Sequence, residues 1–460
     1  MATTSLVLFA SASALLALAA AAGMAEPATP ATPAGSTGPA PGGPPNAGLT
    51  PAQIAAGWQS LFDGTTPAHW RGYRKAEFPS QGWTVQDGWL KSTASGGKGG
   101  GGDIITREQY GDFEFALQWK ATTKGNSGIM YRVTEKHDAT WQTGPEFQVL
   151  DDPAWNQQPD SNHASGALYD LEKPTPPEGF TKTLNPVGEV NSARILLHQG
   201  RLKHWLNGVR MVDTRIDTPE WTAKIAASKF KVYDGFGVQP RGHIAIQDHG
   251  DTMFFKGMMV RDPGAPMPGQ VALFNGKDLA GWKAFVPDAA KASIAPESVW
   301  SAKDGVLVCA GKPTGYIRTE KPYTNFVLRL EWRWPEGKQP GNSGVLVRVQ
   351  EPDAVWPKSV EAQLQSGSAG DFWNIGDFQM ATDPARTKGR NTRKLLAAEN
   401  PVGQWNRYEI IVDKGEVTLF VNGELVNQAT GVAEVPGFIA LQSEGAEIHF
   451  RNVHLAEIRY

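Results

Sequence analysis

Residues 113–119 read FEFALQW, and residues 326–332 read FVLRLEW. In both segments a large apolar side chain occupies every second position. An alternation of period two, sustained over a whole segment, is typical of a β-strand that buries one face. The two segments therefore predict equivalent strands in two copies of one β-fold.

The surroundings of these two segments repeat in the same order. GNSG occurs at 125–128 and at 341–344; PEFQVLD or VEAQLQS follows it, and LNG or VNG comes next. Equivalent residues such as Glu146 and Glu361 are 215 positions apart. Asn-Gly between two β-type runs indicates a hairpin turn. The chain is thus a tandem of two related units, and differences between the copies carry information about function.

The patterns predict an all-β chain with two tandem β-sandwiches. Helical periodicity is scarce outside residues 50–58 and 217–229, whereas short alternating segments and Gly-rich turns recur. This combination favours two-layer antiparallel architectures. The two domains are expected at 50–263 and 271–460. A phase shift near Asn452 predicts a bulge in the last strand.

Composition excludes several classes of partner and site. The 460-residue chain has a formal net charge of −3, which gives no reason to expect nucleic acid or an anionic membrane as a partner. Cys309 is the sole cysteine, so an intrachain disulfide and a Cys-rich structural zinc site are both excluded. The 16 tryptophans suit either a protein core or a platform for sugar rings.

The N-terminus has the pattern of an export signal. Residues 6–22 are apolar and small residues follow, which predicts a signal peptide over 1–25. Because no Lys or Arg precedes the apolar run, an uncleaved membrane anchor is the alternative. Residues 26–49 are rich in Pro and Ala and predict a disordered linker. A periplasmic or secreted protein is expected, with no membrane span after signal cleavage.

The first copy is longer than the second at one place. There are 35 positions between Asn207 and Gly242 but 15 between Asn422 and Gly437. The additional residues fall at about 214–236. Long excursions in compact domains are often lids or binding loops, so this insertion is a candidate for either.

One face of the first sandwich is predicted to be polar. In PEFQVL, for example, Glu146 and Gln148 point away from the apolar residues between them. Such a face is either a groove or a solvated surface with cross-strand ion pairs, such as Arg132 with Glu146. The residues that this face is expected to carry are Arg132, Glu146, Gln148, Gln247 and His249.

Titratable residues distinguish the two copies. Arg132, Glu146, Gln148 and Gln247 have the counterparts Arg348, Glu361, Gln363 and Gln442, whereas Asp151, Asp248 and His249 are replaced by Ser366, Ser443 and Glu444. Histidine is the side chain most easily poised for proton transfer near neutral pH. We therefore expect any active site to lie in the first copy, although a purely structural histidine is the alternative.

Two familiar classes of hydrolase are not supported. A retaining glycosidase needs two carboxyl groups about 5–5.5 Å apart, but the alternate partner of Glu146 is Gln148. No G-x-S-x-G elbow is present, and Ser127 in GNSG is expected in a tight turn. The acidic segment 151–163 could hold a hard cation, without the ligand spacing of an EF-hand. A divalent metal is therefore possible, and no cofactor is required.

The ordered motifs resemble a known family. LFDG, GNSGIMYR, PEFQVLD, SGALYD, LNG and GHIAIQDHGD resemble the 3-keto-disaccharide hydrolase domain family, over 56–262 well and over 271–459 less completely. The resemblance implies a concanavalin A-like jelly-roll sandwich in each copy. It also implies an exported protein acting on sugars or glycosides oxidised at C3.

The chemistry that the resemblance implies is proton transfer. A ketone at C3 acidifies the C2 proton; a base removes it, and an acid protonates the departing oxygen, so elimination followed by hydration gives net hydrolysis. His249 or Asp151 is expected as the base and Glu146 as an acid or orienting group. The residues expected to bind substrate are Arg132, Gln148, Tyr169, Asp170, Gln247 and Asn126.

The two copies depart from the family pattern in different ways. The usual G-x-W-N reads GEVN at 188–191 and GQWN at 403–406, and the closing FRN reads FKG at 255–257. The second copy keeps the scaffold and lacks the histidine, so we expect it to bind or to stabilise rather than to catalyse. The alternative for the whole chain is a non-catalytic, lectin-like carbohydrate-binding tandem. The sugar, the aglycone and the oligomeric state are not predicted.

Overall fold

A computed structural model describes residues 46–93 and 100–460 of the chain. The expected signal peptide at 1–25 and the linker up to residue 45 lie outside these residues and stay predictions. In the described part of the chain, no helix combines the length and the apolarity that crossing a bilayer requires.

The chain forms two compact units. Gly57–Ala265 belongs to the first, and Pro266–Tyr460 belongs to the second. Residues Pro51–Ala56, which precede the first unit in the sequence and were expected within it, pack with the second. There the Arg329 guanidinium donates a hydrogen bond of 2.7 Å to the carbonyl oxygen of Ala56.

The first unit contains two antiparallel sheets. Its strands are β1 (Gln59–Ser60), β2 (Trp70–Gly72), β3 (Trp83–Gln86), β4 (Trp89–Ser92), β5 (Ile104–Thr106), β6 (Phe113–Ala121), β7 (Asn126–Val133), β8 (Glu146–Leu150), β9 (Asn191–His198), β10 (Arg201–Leu206), β11 (Val209–Arg215), β12 (His243–Ile246) and β13 (Met253–Arg261). The described strands of the larger sheet have the order β11-β10-β9-β6-β13-β4-β3, with β1 also paired to β13. Those of the smaller sheet have the order β2-β5-β12-β7-β8.

The second unit repeats this arrangement. Its strands are β14 (Val271–Ala272), β15 (Trp282–Phe285), β16 (Trp300–Lys303), β17 (Val306–Cys309), β18 (Gly315–Thr319), β19 (Phe326–Arg333), β20 (Gly344–Val349), β21 (Ser359–Gln363), β22 (Phe372–Ile375), β23 (Thr387–Lys388), β24 (Asn391–Thr392), β25 (Asn406–Asp413), β26 (Glu416–Val421), β27 (Glu424–Ala429), β28 (Phe438–Ser443) and β29 (Ile448–Glu457). One sheet has the order β16-β17-β29-β19-β25-β26-β27, with β14 on β29, and the other has the order β15-β18-β28-β20-β21-β22-β24-β23. The prediction of two tandem jelly-roll sandwiches is confirmed.

Helices are few and short in the described residues. The α-helices are α1 (Pro51–Ala55) and α2 (Pro219–Ala227), and the 3₁₀-helices are Thr140–Gln142, Pro153–Trp155, Lys229–Val232 and Pro296–Val299. The Thr218 hydroxyl caps α2 by accepting a hydrogen bond from the backbone N–H of Trp221. Both helical segments expected from the sequence are therefore present, and α2 lies inside the insertion of the first copy.

The core of each unit lies between its two sheets. Phe113, Phe115, Leu117 and Trp119 of β6 all point into the first core and are almost fully buried. Burying large apolar side chains contributes about 1.5–3 kcal/mol each and dominates the stability of such a sandwich. The alternation in FEFALQW therefore reflects the burial of one face of this strand in the core.

The predicted turns and bulge are also confirmed. Asn207 has a φ of 49° and Gly208 a φ of 78°, which are the two positive values that a type I′ hairpin turn requires. Asn452 has a φ of 52°, and the pairing of β19 with β29 shifts register at this point. These positions favour Asn and Gly because a Cβ branch would be strained there.

Candidate functional site

A cavity of about 350 Å³, which we refer to as the candidate site, opens on the outer face of the smaller sheet in the first unit. On β8, Phe147 and Val149 point into the core, so Glu146 and Gln148 point outward into the cavity. The lining residues are Asn126, Trp141, Glu146, Gln148, Tyr169, Lys229, Phe230, Tyr233, Gln247 and His249.

The repeated GNSG motif makes room for the carboxyl group of this site. A Cβ atom on Gly128 would lie 1.9 Å from Oε1 of Glu146, so any larger residue here would displace that carboxyl group. Ser127 is not in a tight turn, as the sequence suggested. It lies inside β7, and its hydroxyl donates a hydrogen bond of 2.8 Å to the carbonyl oxygen of Gln247. The motif therefore joins β7 to the chain that follows β12.

The insertion supplies one wall of the candidate site. Its 3₁₀-helix Lys229–Val232 contributes Lys229 and Phe230 to the cavity lining, and Tyr233 follows directly. The insertion is held by the indole of Trp221, which donates a hydrogen bond of 2.9 Å to the carbonyl oxygen of Gly237. The expectation that this insertion is a binding loop fits its position over the site.

Aromatic rings line the same wall. Tyr233 packs edge-on against Trp141, with ring centroids 5.1 Å apart. The ammonium group of Lys229 lies 4.3 Å from the ring centre of Tyr169 and 3.4 Å from Oδ2 of Asp170. Aromatic faces beside a few fixed polar groups suit a sugar ring, which has apolar C–H faces and polar edges.

Glu146 has a strongly perturbed carboxyl group. The residue is 7% exposed, and this burial raises the pKa of its carboxyl to about 8, with a further increase from Asp103 and an opposing decrease from Lys229. A carboxyl group with such a pKa is mostly protonated at neutral pH and can act as a proton donor. Among residues that line a pocket, this is a recognised sign of function.

His249 lies at the rim of the cavity. Its side chain is 43% exposed, and its Nδ1 lies 3.3 Å from Oδ2 of Asp251. Its ring packs edge-on against Trp155, with centroids 6.3 Å apart. A solvent-accessible imidazole that is oriented by a carboxylate has the geometry of a general base.

Asp103 is a residue that the sequence analysis missed. It accepts hydrogen bonds from the backbone N–H of Asp248, at 2.9 Å, and from the hydroxyl of Thr140. Burial raises the pKa of its carboxyl, which also acts electrostatically on Glu146. Through Asp248 it positions the turn that carries His249. The pairing registers of β5 and β18 show that Tyr316 of the second copy is equivalent to Asp103. A comparison of the two copies at this position could therefore have identified Asp103 from the sequence.

Three of the expected site residues lie outside the cavity lining. Arg132 has a φ of 53° at a register shift of β7, and its guanidinium pairs with Asp217 of the insertion at 3.0 Å, not with Glu146. Oδ2 of Asp151 accepts a hydrogen bond of 2.8 Å from the backbone N–H of Lys124.

Asp170 is the third; its carboxylate pairs with the cavity-lining Lys229 at 3.4 Å and with Nε2 of His163 at 2.9 Å. The four residues Arg132, Glu146, Asp151 and His249 therefore do not surround one pocket.

The second unit keeps part of this arrangement. Glu361 is buried, which raises the pKa of its carboxyl to about 8, and Glu444 raises it further. A Cβ atom on Gly344 would lie 2.4 Å from Oε1 of Glu361, so the glycine has the same role in both copies. The second unit differs by having Glu444 in place of His249 and by lacking the insertion.

Buried carboxyl groups of this kind predict a pH-dependent stability. Since the folded-state pKa of Glu146 is raised to about 8, the folded chain binds this proton more tightly than the unfolded chain, and stability is lost as pH rises from about 4.5 to 8. The variant Glu146→Gln removes this loss. We expect it to be more stable than the wild type by on the order of a few kcal/mol at pH 9 and equal to it at pH 4.

Calorimetric unfolding at both pH values tests this expectation, with Glu361→Gln as the matched variant of the second unit. An equal stabilisation at pH 4 and pH 9 would contradict it.

The carboxylates of the acidic segment 151–163, where a metal was considered possible, pair with lysine side chains. Within residues 46–93 and 100–460, no group of three or more His, Cys, Asp or Glu side chains is arranged to hold a metal ion. In the acidic segment 151–163, Asp152 pairs with Lys182 at 2.6 Å and Asp160 pairs with Lys173 at 3.4 Å. These carboxylates are therefore engaged with lysine side chains.

Known proteins resemble both units. A family model described as the 3-keto-alpha-glucoside-1,2-lyase-like domain matches residues 57–261 and 269–456. A 3-keto-disaccharide hydrolase of Bacteroides thetaiotaomicron is 34% identical in an alignment of 234 positions, and this alignment covers 45% of this chain and 79% of that protein.

Two proteins of Parabacteroides distasonis with solved structures, both provisionally named glycosyl hydrolases, are similar to this chain. The first is 29% identical, with a TM-score of 0.41, over 46% of this chain and 97% of its own. The second is 22% identical, with a TM-score of 0.33, over 45% of this chain and 98% of its own. The family resemblance inferred from the motifs is confirmed by the family model and the Bacteroides relative.

Proposed function

This chain belongs to the 3-keto-alpha-glucoside-1,2-lyase-like domain family, and from that premise we propose that it is an exported enzyme that cleaves 3-keto-glycosides. The reaction is proton abstraction from C2 and elimination across C1–C2, followed by hydration, which gives net hydrolysis. The main support for this proposal is that one cavity is lined by two groups suited to proton transfer. They are the buried carboxyl group of Glu146, with a pKa of about 8, and the accessible imidazole of His249.

The elimination step assigns one proton to each of these residues. His249 takes the proton from C2, whose acidity the C3 ketone increases, and an enolate forms. The C1–O bond then breaks, its electron pair leaves with the glycosidic oxygen, and the carboxyl proton of Glu146 moves to that oxygen. The products are the free aglycone and a sugar with a C1=C2 double bond conjugated to the ketone.

Hydration returns both groups to their starting states. Water adds to C1 and gives a proton to the carboxylate of Glu146, while the exposed imidazolium of His249, which exchanges its proton with solvent between the two steps, delivers a proton to C2. The product is the free 3-keto sugar. One acid and one base therefore complete the cycle, and the carboxyl pair of an ordinary retaining glycosidase is not needed.

The other lining residues have binding and electrostatic roles in this proposal. Lys229 places a positive charge in the cavity and stabilises the enolate oxygen as it develops at C3. Gln148 and Gln247 bind sugar hydroxyls, and the ring of Tyr169 supports a sugar face. Because Lys229 comes from the insertion, only the first unit is proposed to catalyse; the second binds or stabilises.

The proposal is tested by incubating the purified chain with methyl 3-keto-glucoside and, separately, with unoxidised methyl glucoside in D₂O. We expect turnover of the ketone alone, with solvent deuterium incorporated at C2 of the released sugar. Turnover of both glycosides, or release without deuterium at C2, would overturn the mechanism. Binding of either glycoside without any turnover would favour the lectin-like alternative.

A further inference from the structure

The outer face of the larger sheet in the first unit carries a cluster of lysine and aromatic side chains. On β13, Phe254 and Lys256 alternate with residues of the core and therefore point outward. Strands β4 and β6, which flank β13, contribute the other outward members. The cluster, which we refer to as the lysine face, consists of Trp89, Lys91, Lys120, Phe254 and Lys256.

The strand register brings the three lysines together. Lys91 of β4 and Lys120 of β6 pair with Phe254 from its two sides, so their backbones are two strand spacings, about 9–10 Å, apart. The ammonium groups of Lys120 and Lys256 lie 4.6 and 4.4 Å from the ring centre of Trp89. Because Trp89 is only 8% exposed, the lysines rather than the indole form the outer surface.

The three lysines have no ion-pair partner among the residues that the structure describes. The ammonium group of Lys91 donates a hydrogen bond of 3.2 Å to the neutral amide of Gln86. Burial lowers the pKa of Lys256, and the positive charge of Lys120 lowers it further. The lysine face is therefore a local concentration of positive charge on a chain whose formal net charge is −3.

The second unit neutralises the equivalent face. The strand registers align Lys120 with Arg333, Lys256 with Arg451, Phe254 with His449, Gln118 with Glu331 and Thr252 with Glu447. In the second unit, the carboxylate of Glu331 pairs with Arg451. That of Glu447 pairs with His449 at 3.0 Å and also with Lys338.

The first unit has neutral side chains, Gln118 and Thr252, at the positions of these two carboxylates. The fold itself thus accommodates carboxylates beside the cations of this sheet face. The unneutralised charge of the lysine face is a property of the first copy, and it calls for an explanation other than the packing of the sandwich.

Charge complementarity indicates a polyanion as the partner of the lysine face. The amides of Gln86 and Gln118, which pair with Trp89 and Lys256 across the strands, are suited to bind hydroxyl groups. Single-stranded nucleic acid would need exposed aromatic faces for its bases, which the buried Trp89 does not offer.

A membrane surface fits the lysine face less well. Proteins that lie on anionic bilayers usually insert apolar side chains beside their basic groups. None of the exposed large apolar side chains in the described residues belongs to the lysine face. The combination of ammonium groups with neutral amides instead suits a polymer that carries both carboxylates and hydroxyl groups.

We propose that the lysine face of the first unit binds an acidic polysaccharide built from uronic acids. Such a polymer carries a carboxylate on each sugar residue, so neighbouring residues reach different lysines of the face while their hydroxyl groups bind the amides. This inference goes beyond the proposed function and does not rest on it, because the candidate site lies on the other sheet. Binding should weaken with salt, since exposed charges are screened over about 10 Å at 0.1 M ionic strength.

Binding of the purified chain to immobilised polygalacturonate, with neutral dextran as the reference polymer, tests the proposal. We expect the wild type to bind polygalacturonate alone. Gln118→Glu places a carboxylate where the second copy has Glu331 and should raise the Kd about five-fold, and the combined variant Lys91→Gln, Lys120→Gln and Lys256→Gln should raise it roughly 100-fold. Lys277→Gln removes one exposed positive charge of the second unit and should bind as the wild type does.

Several results would overturn the proposal. They are no binding of polygalacturonate by the wild type, an unchanged Kd in both Gln118→Glu and the combined variant, and an equal loss in Lys277→Gln, which would mean that net charge alone acts. Tighter binding of heparin, duplex DNA or phosphatidylserine vesicles than of polygalacturonate at the same salt concentration would also overturn it. Thermal unfolding checks that the combined variant is folded; if it is not, Gln118→Glu, which removes no lysine, decides alone. Because the readout is binding, absence of turnover of 3-keto-glycosides would contradict the proposed function and leave this inference standing.

Discussion

In the variant Glu146→Gln, kcat for methyl 3-keto-glucoside is expected to fall by about 10²- to 10⁴-fold, the usual contribution of a positioned general acid. The amide is close to the carboxyl group in size and cannot release a proton. The cavity and its hydrogen bonds are retained, so KM should change little. The free-energy cost should therefore appear almost entirely in the transition state for departure of the aglycone.

The leaving group provides a sharper control. A 4-nitrophenyl 3-keto-glucoside releases a weakly basic oxygen that needs little protonation, so Glu146→Gln should lose far less activity on it. Glu361→Gln makes the same change at the equivalent buried carboxyl of the second unit and should leave both rates unaltered. If Glu146→Gln loses equal activity on the two substrates, Glu146 is not the acid, and if Glu361→Gln loses as much, the first unit is not the catalytic one.

His249→Ala should lower the rate with both leaving groups, because proton removal from C2 precedes departure in either case. The expected loss is again about 10²-fold or more. If His249→Ala and Asp151→Asn both keep full activity on the two substrates, the base assigned here is wrong. Loss in Asp151→Asn alone would transfer the role to Asp151, although its carboxylate lies outside the cavity lining.

Much of the fold was predictable because regular strands translate side-chain alternation directly into burial. The alternation in β6 and the Asn-Gly turns were enough to place strands and hairpins. Comparison of the two copies favoured the first unit, which is where the cavity of the candidate site lies. The same rule placed Glu146 and Gln148 correctly on the outer face of β8. In a regular strand, successive side chains point to opposite faces of the sheet, so the position of a residue in the alternation determines which face its side chain is on.

The rule fails where the backbone leaves the regular strand. Arg132 was assigned by parity to the polar face, but its positive φ turns the side chain toward Asp217. Asp151 lies one residue beyond β8, so strand parity no longer applies to it. Lys229 and Tyr233 come from an irregular insertion whose path depends on packing. The position of that insertion was predictable from the copy lengths; the identity of its cavity-lining side chains was not.

Gly128→Ala is expected to lower kcat/KM by about 100-fold, although the residue touches no substrate. The added Cβ would lie 1.9 Å from Oε1 and 2.6 Å from Cδ of Glu146, so the carboxyl group has to move out of its place. A displacement on the order of 1 Å is enough for a loss of this size. The clash is with the end of a side chain and not with backbone, so the fold should survive.

Gly344→Ala is the matched control for this prediction, because its Cβ would approach Gln442 and Glu361 of the second unit at 2.3 and 2.4 Å. It should have a similar effect on unfolding but none on activity. In the Glu146→Gln background, Gly128→Ala should cost little further activity, since the group that it displaces no longer transfers a proton; additive losses would mean that Gly128 acts by another route. Equal activity losses in Gly128→Ala and Gly344→Ala would instead indicate that both sandwiches contribute to catalysis. Each glycine would then position a catalytic carboxyl group, that of Glu146 in the first unit and that of Glu361 in the second.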